Sequence, residues 1–112
     1  MKNCPFCEMV KERYSFIEIA PRIMGFPPLN PVVPGHLLIA PMWHVKDAAE
    51  DPVTTGAVME AAARVAKQCD SANIITSIGS EATQTIFHLH VHVVPRKKDD
   101  GLHLPWTGQV IK

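Results

Sequence analysis

The chain has 112 residues, 46% of them hydrophobic, and its eleven basic and eleven acidic side chains cancel at neutral pH. That length suits a single domain, 1–112, with a modest core, and the charge balance excludes a global field that would gather nucleic acid, an anionic membrane or a polyanionic partner. The opening "MKNCPFCEMVKERYSF" lacks the apolar run of a signal peptide and no stretch approaches a membrane span, so a soluble cytoplasmic protein is expected.

Cys4 and Cys7 come first, in "CPFC". A close Cys-x-x-Cys in a cytosolic chain serves metal or redox chemistry more readily than a structural disulfide. Zinc would need two further ligands from elsewhere. A dithiol redox centre would follow a strand and open a helix, and Cys4 lies too near the start for that. Plain surface cysteines are the bland alternative.

"YSFIEIA" (Tyr14 to Ala20) and "RIMGF" (Arg22 to Phe26) read as two strands of a hairpin. "PPLNPVVPG" (Pro27 to Gly35) carries four prolines, which lack donors and fix φ, so an ordered but irregular loop is expected. "HLLIAP" then resumes as a buried strand. From Asp51-Pro52 to Cys69, the apolar positions Val53, Ala57, Val58, Ala61, Ala62, Val65, Ala66 and Cys69 recur at the spacing of an amphipathic helix, with Asp51 as its cap. Cys69 falls on that apolar stripe and reads as a core thiol. "NIITSIG" (Asn73 to Gly79) and Phe87 to Pro95 predict two more strands, joined by the polar loop Ser80 to Thr85. The fold class is therefore α+β: a five-stranded antiparallel sheet with one main helix on one face.

The last strand, "FHLHVHVVPR", places three of the six histidines at alternate positions. Period-two geometry puts His88, His90 and His92 on one side and Phe87, Leu89, Val91 and Val93 on the other, with neighbouring imidazoles about 7 Å apart. The apolar side would face the helix and the imidazoles an open face. Such a row suits metal ligation or a nucleophile with acid–base partners. The polar loop upstream, ending in Gln84-Thr85, offers donors for an oxyanion and favours phosphoryl chemistry.

His-Leu-His-Val-His-Val-Val resembles the histidine-triad pattern His-φ-His-φ-His-φ-φ, φ being apolar. The preceding Gln84-Thr85-Ile86-Phe87, the run "PVVPGHLLIAP" and the "CPFC" start resemble the same family, so the likeness spans nearly the whole chain. The resemblance implies a nucleotide hydrolase or nucleotidyl transferase acting at the α-phosphate of nucleoside phosphoramidates or dinucleoside polyphosphates. It implies His90 as the nucleophile, His92 as its proton-supplying neighbour and His36 as a supporting histidine behind the triad. Gln84, Thr85 and His92 correspond to phosphate-binding positions, and Ile19, Phe26, Leu29 and Asn30 to the nucleoside slot. A structural zinc on Cys4, Cys7, His44 and His88, no organic cofactor, a purine nucleotide or related small molecule as ligand and a homodimer are likewise implied. An imidazole suits the role, being largely neutral and nucleophilic at pH 7 and a good leaving group once phosphorylated.

Two positions depart from the family pattern. Pro28 stands where an Asp or Asn commonly holds the ribose hydroxyls, which leaves Asn30 as the substitute, and Ser77 stands where an Asn is common. These departures keep open a catalytically weak nucleotide-binding or scaffolding protein on the same fold, and a purely structural zinc protein. Arg96 to Lys98 reads as a solvated strand end rather than an RNA contact. Trp106 is a candidate to reach the site or a partner subunit.

Overall fold

The computed structural model describes residues 3–104; Trp106 lies outside them. In chain order the elements are α1 (Pro5–Glu12), β1 (Ile17–Ala20), β2 (Ile23–Phe26), β3 (Leu37–Pro41), α2 (Pro52–Ala66), β4 (Ala72–Ile75), a 3-10 turn (Ser80–Ala82) and β5 (Val91–Pro95). All strand pairs are antiparallel, in the order β1-β2-β3-β5-β4.

The sheet has two covered faces. On one, Ile23, Ile39, Val91 and Val93 meet Val58, Ala61 and Ala62 of α2. On the other, Met24, Phe26, Leu38 and Ala40 meet Cys4 and Phe6 at the head of α1. Alternate residues of one strand feed the two cores, as the pleat requires. β2 is buried at all four positions because both faces are occupied.

The helix α1 is absent from the sequence reading. Its N-cap is Cys4, whose sulfur accepts the Cys7 N–H at 3.4 Å, and Pro5 follows at the first turn. Cysteine is not among the common capping residues, which hides the start. The signal that could have revealed it is Phe6, Met9 and Val10 at helical spacing, all packed in the second core. The face expected to be open is therefore partly roofed.

The strands are also shorter than expected. Phe87 to His90 lies outside β5, and Leu89 instead donates its N–H to the Val45 carbonyl at 2.6 Å. The Thr76 hydroxyl bonds the His90 carbonyl at 2.7 Å where a ladder bond would otherwise stand. Phe87 is 40% exposed and not on the core side. The alternation holds for Leu89, Val91 and Val93, all buried, with His88 and His92 turned to the opposite side. α2 ends at Ala66, three residues before Cys69, and begins as expected at Asp51, whose carboxylate caps the Thr54 N–H and hydroxyl.

Phe6 is 4% exposed and sits edge-on to Phe26 with ring centroids 5.1 Å apart. Truncating a buried phenylalanine removes its transfer energy and leaves a cavity. Phe6→Ala is expected to destabilise the protein by about 3–5 kcal/mol in denaturant unfolding; a loss under about 1 kcal/mol would mean that α1 does not belong to the core.

Candidate functional site

His88 is completely buried, and its ring is held from both sides. Its Nε2 lies 2.9 Å from the Pro41 carbonyl at the end of β3. A carbonyl only accepts, so Nε2 carries the proton and Nδ1 is left with its lone pair. That lone pair faces Cys4 Sγ at 3.3 Å and Cys7 Sγ at 3.5 Å, while His44 Nδ1 lies 3.4 Å from Cys7 Sγ.

The four ligand atoms of Cys4, Cys7, His44 and His88 all lie within 4.8 Å of one another. Metal–sulfur bonds near 2.3 Å and metal–nitrogen bonds near 2.0 Å give a tetrahedron with edges of about 3.5 Å. The sulfur–nitrogen separations match that edge, so the cluster could hold a metal ion. The Pro41 carbonyl is the outer hydrogen-bond partner that orients such a histidine. Burial pushes the His88 pKa down to about 4, which keeps the ring neutral and available as a ligand. The Cys7 thiol is pushed up, first by burial and then by Cys4 beside it. A bound cation would reverse that, since a coordinating thiol is held deprotonated.

His90 lies one step further on. Its Nδ1 donates to the His88 carbonyl at 2.8 Å, so its proton is on Nδ1 and Nε2 bears the lone pair. The edge of Phe6 packs against it at a centroid distance of 5.2 Å. Burial lowers its pKa from the ordinary histidine value. His92 follows, its ring centroid 5.3 Å from that of His90, and its Nδ1 lies 2.9 Å from Nε2 of His36. Burial, then the neighbouring His90 and His36, push His92 down to about 4, and burial lowers His36 too. Burial therefore keeps His90, His92 and His36 neutral at pH 7.

The Gln84 side chain is taken up by bonds inside the protein. Its Oε1 accepts the Gly79 N–H at 2.9 Å, and its Nε2 donates to the Lys46 and Ile86 carbonyls at 2.9 and 3.1 Å. Both amide hydrogens are used inside the protein, so none remains to bind a phosphate. Gln84 is a brace that ties the loop before the triad to the loop that follows His44. Thr85 is exposed on a cavity of about 640 Å³ that it shares with Cys4, His44 and Lys46.

Of the four residues expected to form a nucleoside slot, Ile19 and Phe26 line one cavity of about 530 Å³ together with Ile17 and Leu37. Ile19 shares the α2 face with Ile39, both reaching to 3.4 Å of where a Gly25 Cβ would stand. Phe26, one residue along the pleat, points to the α1 face. Leu29 is 99% exposed and Asn30 is exposed as well. Phe26 instead meets His90 through Phe6, which touches both. Arg96 is consumed in a clip to Asp100, Asn73 and the Leu102 carbonyl.

A family model described as the HIT domain matches residues 14–99. An uncharacterized HIT-like protein of Saccharolobus solfataricus is 32% identical over 106 residues, covering 87% of this chain and 76% of its own. The adenosine 5'-monophosphoramidase of Saccharomyces cerevisiae is 31% identical over 114 residues, covering 95% and 71% respectively. Among solved structures, a Zn-bound histidine triad family protein from Mycobacterium smegmatis superposes with a TM-score of 0.80 at 31% identity, over 90% of this chain and 80% of that one.

Metal-free protein titrated with zinc is expected to take up about one equivalent and to melt at a higher temperature, as ligand binding to the native state alone demands. Cys4→Ser should lose most of both effects. Uptake below half an equivalent, unchanged by that substitution, would remove the site.

Proposed function

The chain belongs to the HIT domain family, and from that premise we propose that it is a nucleotide hydrolase or nucleotidyl transferase working at the α-phosphate of nucleoside phosphoramidates or dinucleoside polyphosphates. One observation carries the reading. The His88 carbonyl holds the His90 proton on Nδ1, which leaves a neutral Nε2 lone pair in a partly buried ring.

In the proposed reaction that lone pair attacks phosphorus, forming an N–P bond while the bond from phosphorus to the leaving group breaks. The departing atom keeps the electron pair, accepts a hydrogen bond from the N–H of neutral His92, and takes its proton from solvent water. Water or another acceptor then attacks the phosphorus, the N–P bond breaks with its electron pair returning to His90 Nε2, the proton of the attacking oxygen passes to solvent, and the mononucleotide leaves. Thr85 offers a hydroxyl near the loop end, and His36 supports His92 from behind. The monophosphoramidase name of the yeast relative favours a phosphoramidate of a purine nucleoside among the candidate substrates.

Cys4, Cys7, His44 and His88 would hold zinc, which supplies a structural crosslink and not reaction chemistry. The ion would pin the head of α1 to the segment carrying His90. A homodimer fits the edge strand β4, beside which Ile75 and Ile78 are 36% and 50% exposed; sedimentation at micromolar concentration tests it. No helix among the described residues is long and apolar enough to cross a membrane, and a cytoplasmic site remains part of the proposal.

A second reading has its own support. Pro28 has no side-chain acceptor for ribose hydroxyls, and the Gln84 amide is occupied, so a nucleotide-binding protein with weak turnover is the alternative.

Incubation with an adenosine phosphoramidate separates the two. The first reading expects release of mononucleotide, a label from α-labelled substrate trapped on His90, and a fall of roughly a thousandfold or more in His90→Ala. Binding without release favours the second, and label on another residue overturns the role of His90.

The pH profile is a further check. The attacking ring must be neutral, and its folded pKa is lowered, so kcat/KM should hold through pH 6.5 and fall only as pH drops below it. An acid limb at or above 6.5 would contradict the burial argument.

A further inference from the structure

We propose that the backbone N–H of Val32, in the proline loop, determines which nitrogen of His92 carries the proton, acting through His36 as a relay. The Val32 N–H donates to His36 Nδ1 at 3.2 Å. A backbone amide can only donate, so that nitrogen must offer a lone pair. Neutral His36 then has one place for its proton, Nε2. That atom faces His92 Nδ1 at 2.9 Å, so His36 donates and His92 Nδ1 accepts. Neutral His92 is left with its proton on Nε2, the ring nitrogen that His36 does not occupy. The reverse polarity would set the Val32 N–H against a second N–H.

The loop is built to hold that amide in place. Pro27, Pro28, Pro31 and Pro34 restrict its backbone, and the His36 N–H closes on the Val33 carbonyl at 3.2 Å. Gly35 turns the chain there at φ +88°, with Pro95 Cγ only 3.3 Å from where a Cβ would stand.

The outcome is two neighbouring imidazoles of opposite tautomer, each set by one backbone group. The His88 carbonyl forces His90 to present a lone pair. The Val32 amide, two imidazoles away from the chemistry, forces His92 to present an N–H. Val32 is thus a positioning residue through its main chain, although its side chain is exposed. The tautomer assignment stands on the hydrogen-bond geometry of the neutral rings; its effect on turnover rests on the proposed reading of His92 as hydrogen-bond donor to the leaving atom.

The test uses the full chain labelled with nitrogen-15, with histidine side-chain spectra recorded at neutral pH. Expected are His90 protonated at Nδ1, His36 and His92 protonated at Nε2, and a nitrogen–nitrogen coupling across the Val32–His36 hydrogen bond. Val32→Pro removes only this donor from the relay, and His92 should become a mixture of tautomers. With adenosine phosphoramidate as substrate, kcat should fall by about tenfold or more while KM changes by less than about twofold. Val32→Ala keeps the amide and should keep the wild-type tautomer.

His92 protonated at Nδ1 in the wild type, or unchanged tautomers in Val32→Pro, overturns the proposal. Should Val32→Pro fail to fold, the wild-type coupling decides: its absence overturns the relay and its presence supports it. Wild-type protein with these tautomers but no turnover sinks the proposed activity and supports the relay assignment independently.

Discussion

The structure turns on the three hydrogen-bonding groups of His88. Its Nε2–H is taken by the Pro41 carbonyl, its Nδ1 lone pair meets two sulfurs from the head of α1, and its own carbonyl takes the His90 proton. One residue thereby joins the end of β3, the N-terminal helix and the next triad ring. Neither of the two ring partners could be exchanged without rotating the ring, because one nitrogen has a single proton and the other a single lone pair. Full burial makes the arrangement stringent, since an imidazole atom left without a partner there would carry its whole desolvation penalty.

Burial also sets the chemical state of the row. Imidazoles in water sit near the midpoint of their titration at pH 6.5. Inside this fold, desolvation disfavours the charged form and keeps them neutral at pH 7. Neutrality makes tautomer the decisive variable. A charged ring donates from both nitrogens, whereas a neutral one is a donor on one side and a nucleophile or ligand on the other. Backbone groups choose the side here, and the side differs from ring to ring.

The loops around the row act as its scaffold. Gln84 binds three backbone groups and couples the segment before the triad to the one after His44. Leu89 makes a short bond to Val45 in the same segment. These contacts hold the strip from Phe87 to His90 in place even though it has left the strand ladder. The two short sheet faces contribute the rest, with α2 under the apolar residues of β5 and α1 over the imidazole side.

The α+β class, the hairpin, the main helix with its Asp51 cap and the presence of five strands were legible in the sequence, because each rests on local periodicity and turn chemistry; the order β1-β2-β3-β5-β4 was not. So was the alternation that divides Leu89, Val91 and Val93 from the histidines, a consequence of the pleat alone. The grouping of Cys4 and Cys7 with His44 and His88 came from family resemblance, and the structure does bring the four together. What no local pattern contained was the second layer: α1 behind an unusual cysteine cap, the placement of Ile19 and Phe26 on opposite faces, and the use of the Gln84 amide as a brace. Proton positions belong to that class too. A histidine's tautomer depends on which hydrogen-bonding group lies within about 3 Å of each ring nitrogen: Pro41 stands 47 residues from His88 and His36 stands 56 from His92, while the His88 carbonyl and the Val32 amide act on His90 and His36 at short range. Residue identity supplied the imidazoles; the closure of distant segments onto His88 and His92 decided which nitrogen of those two is free.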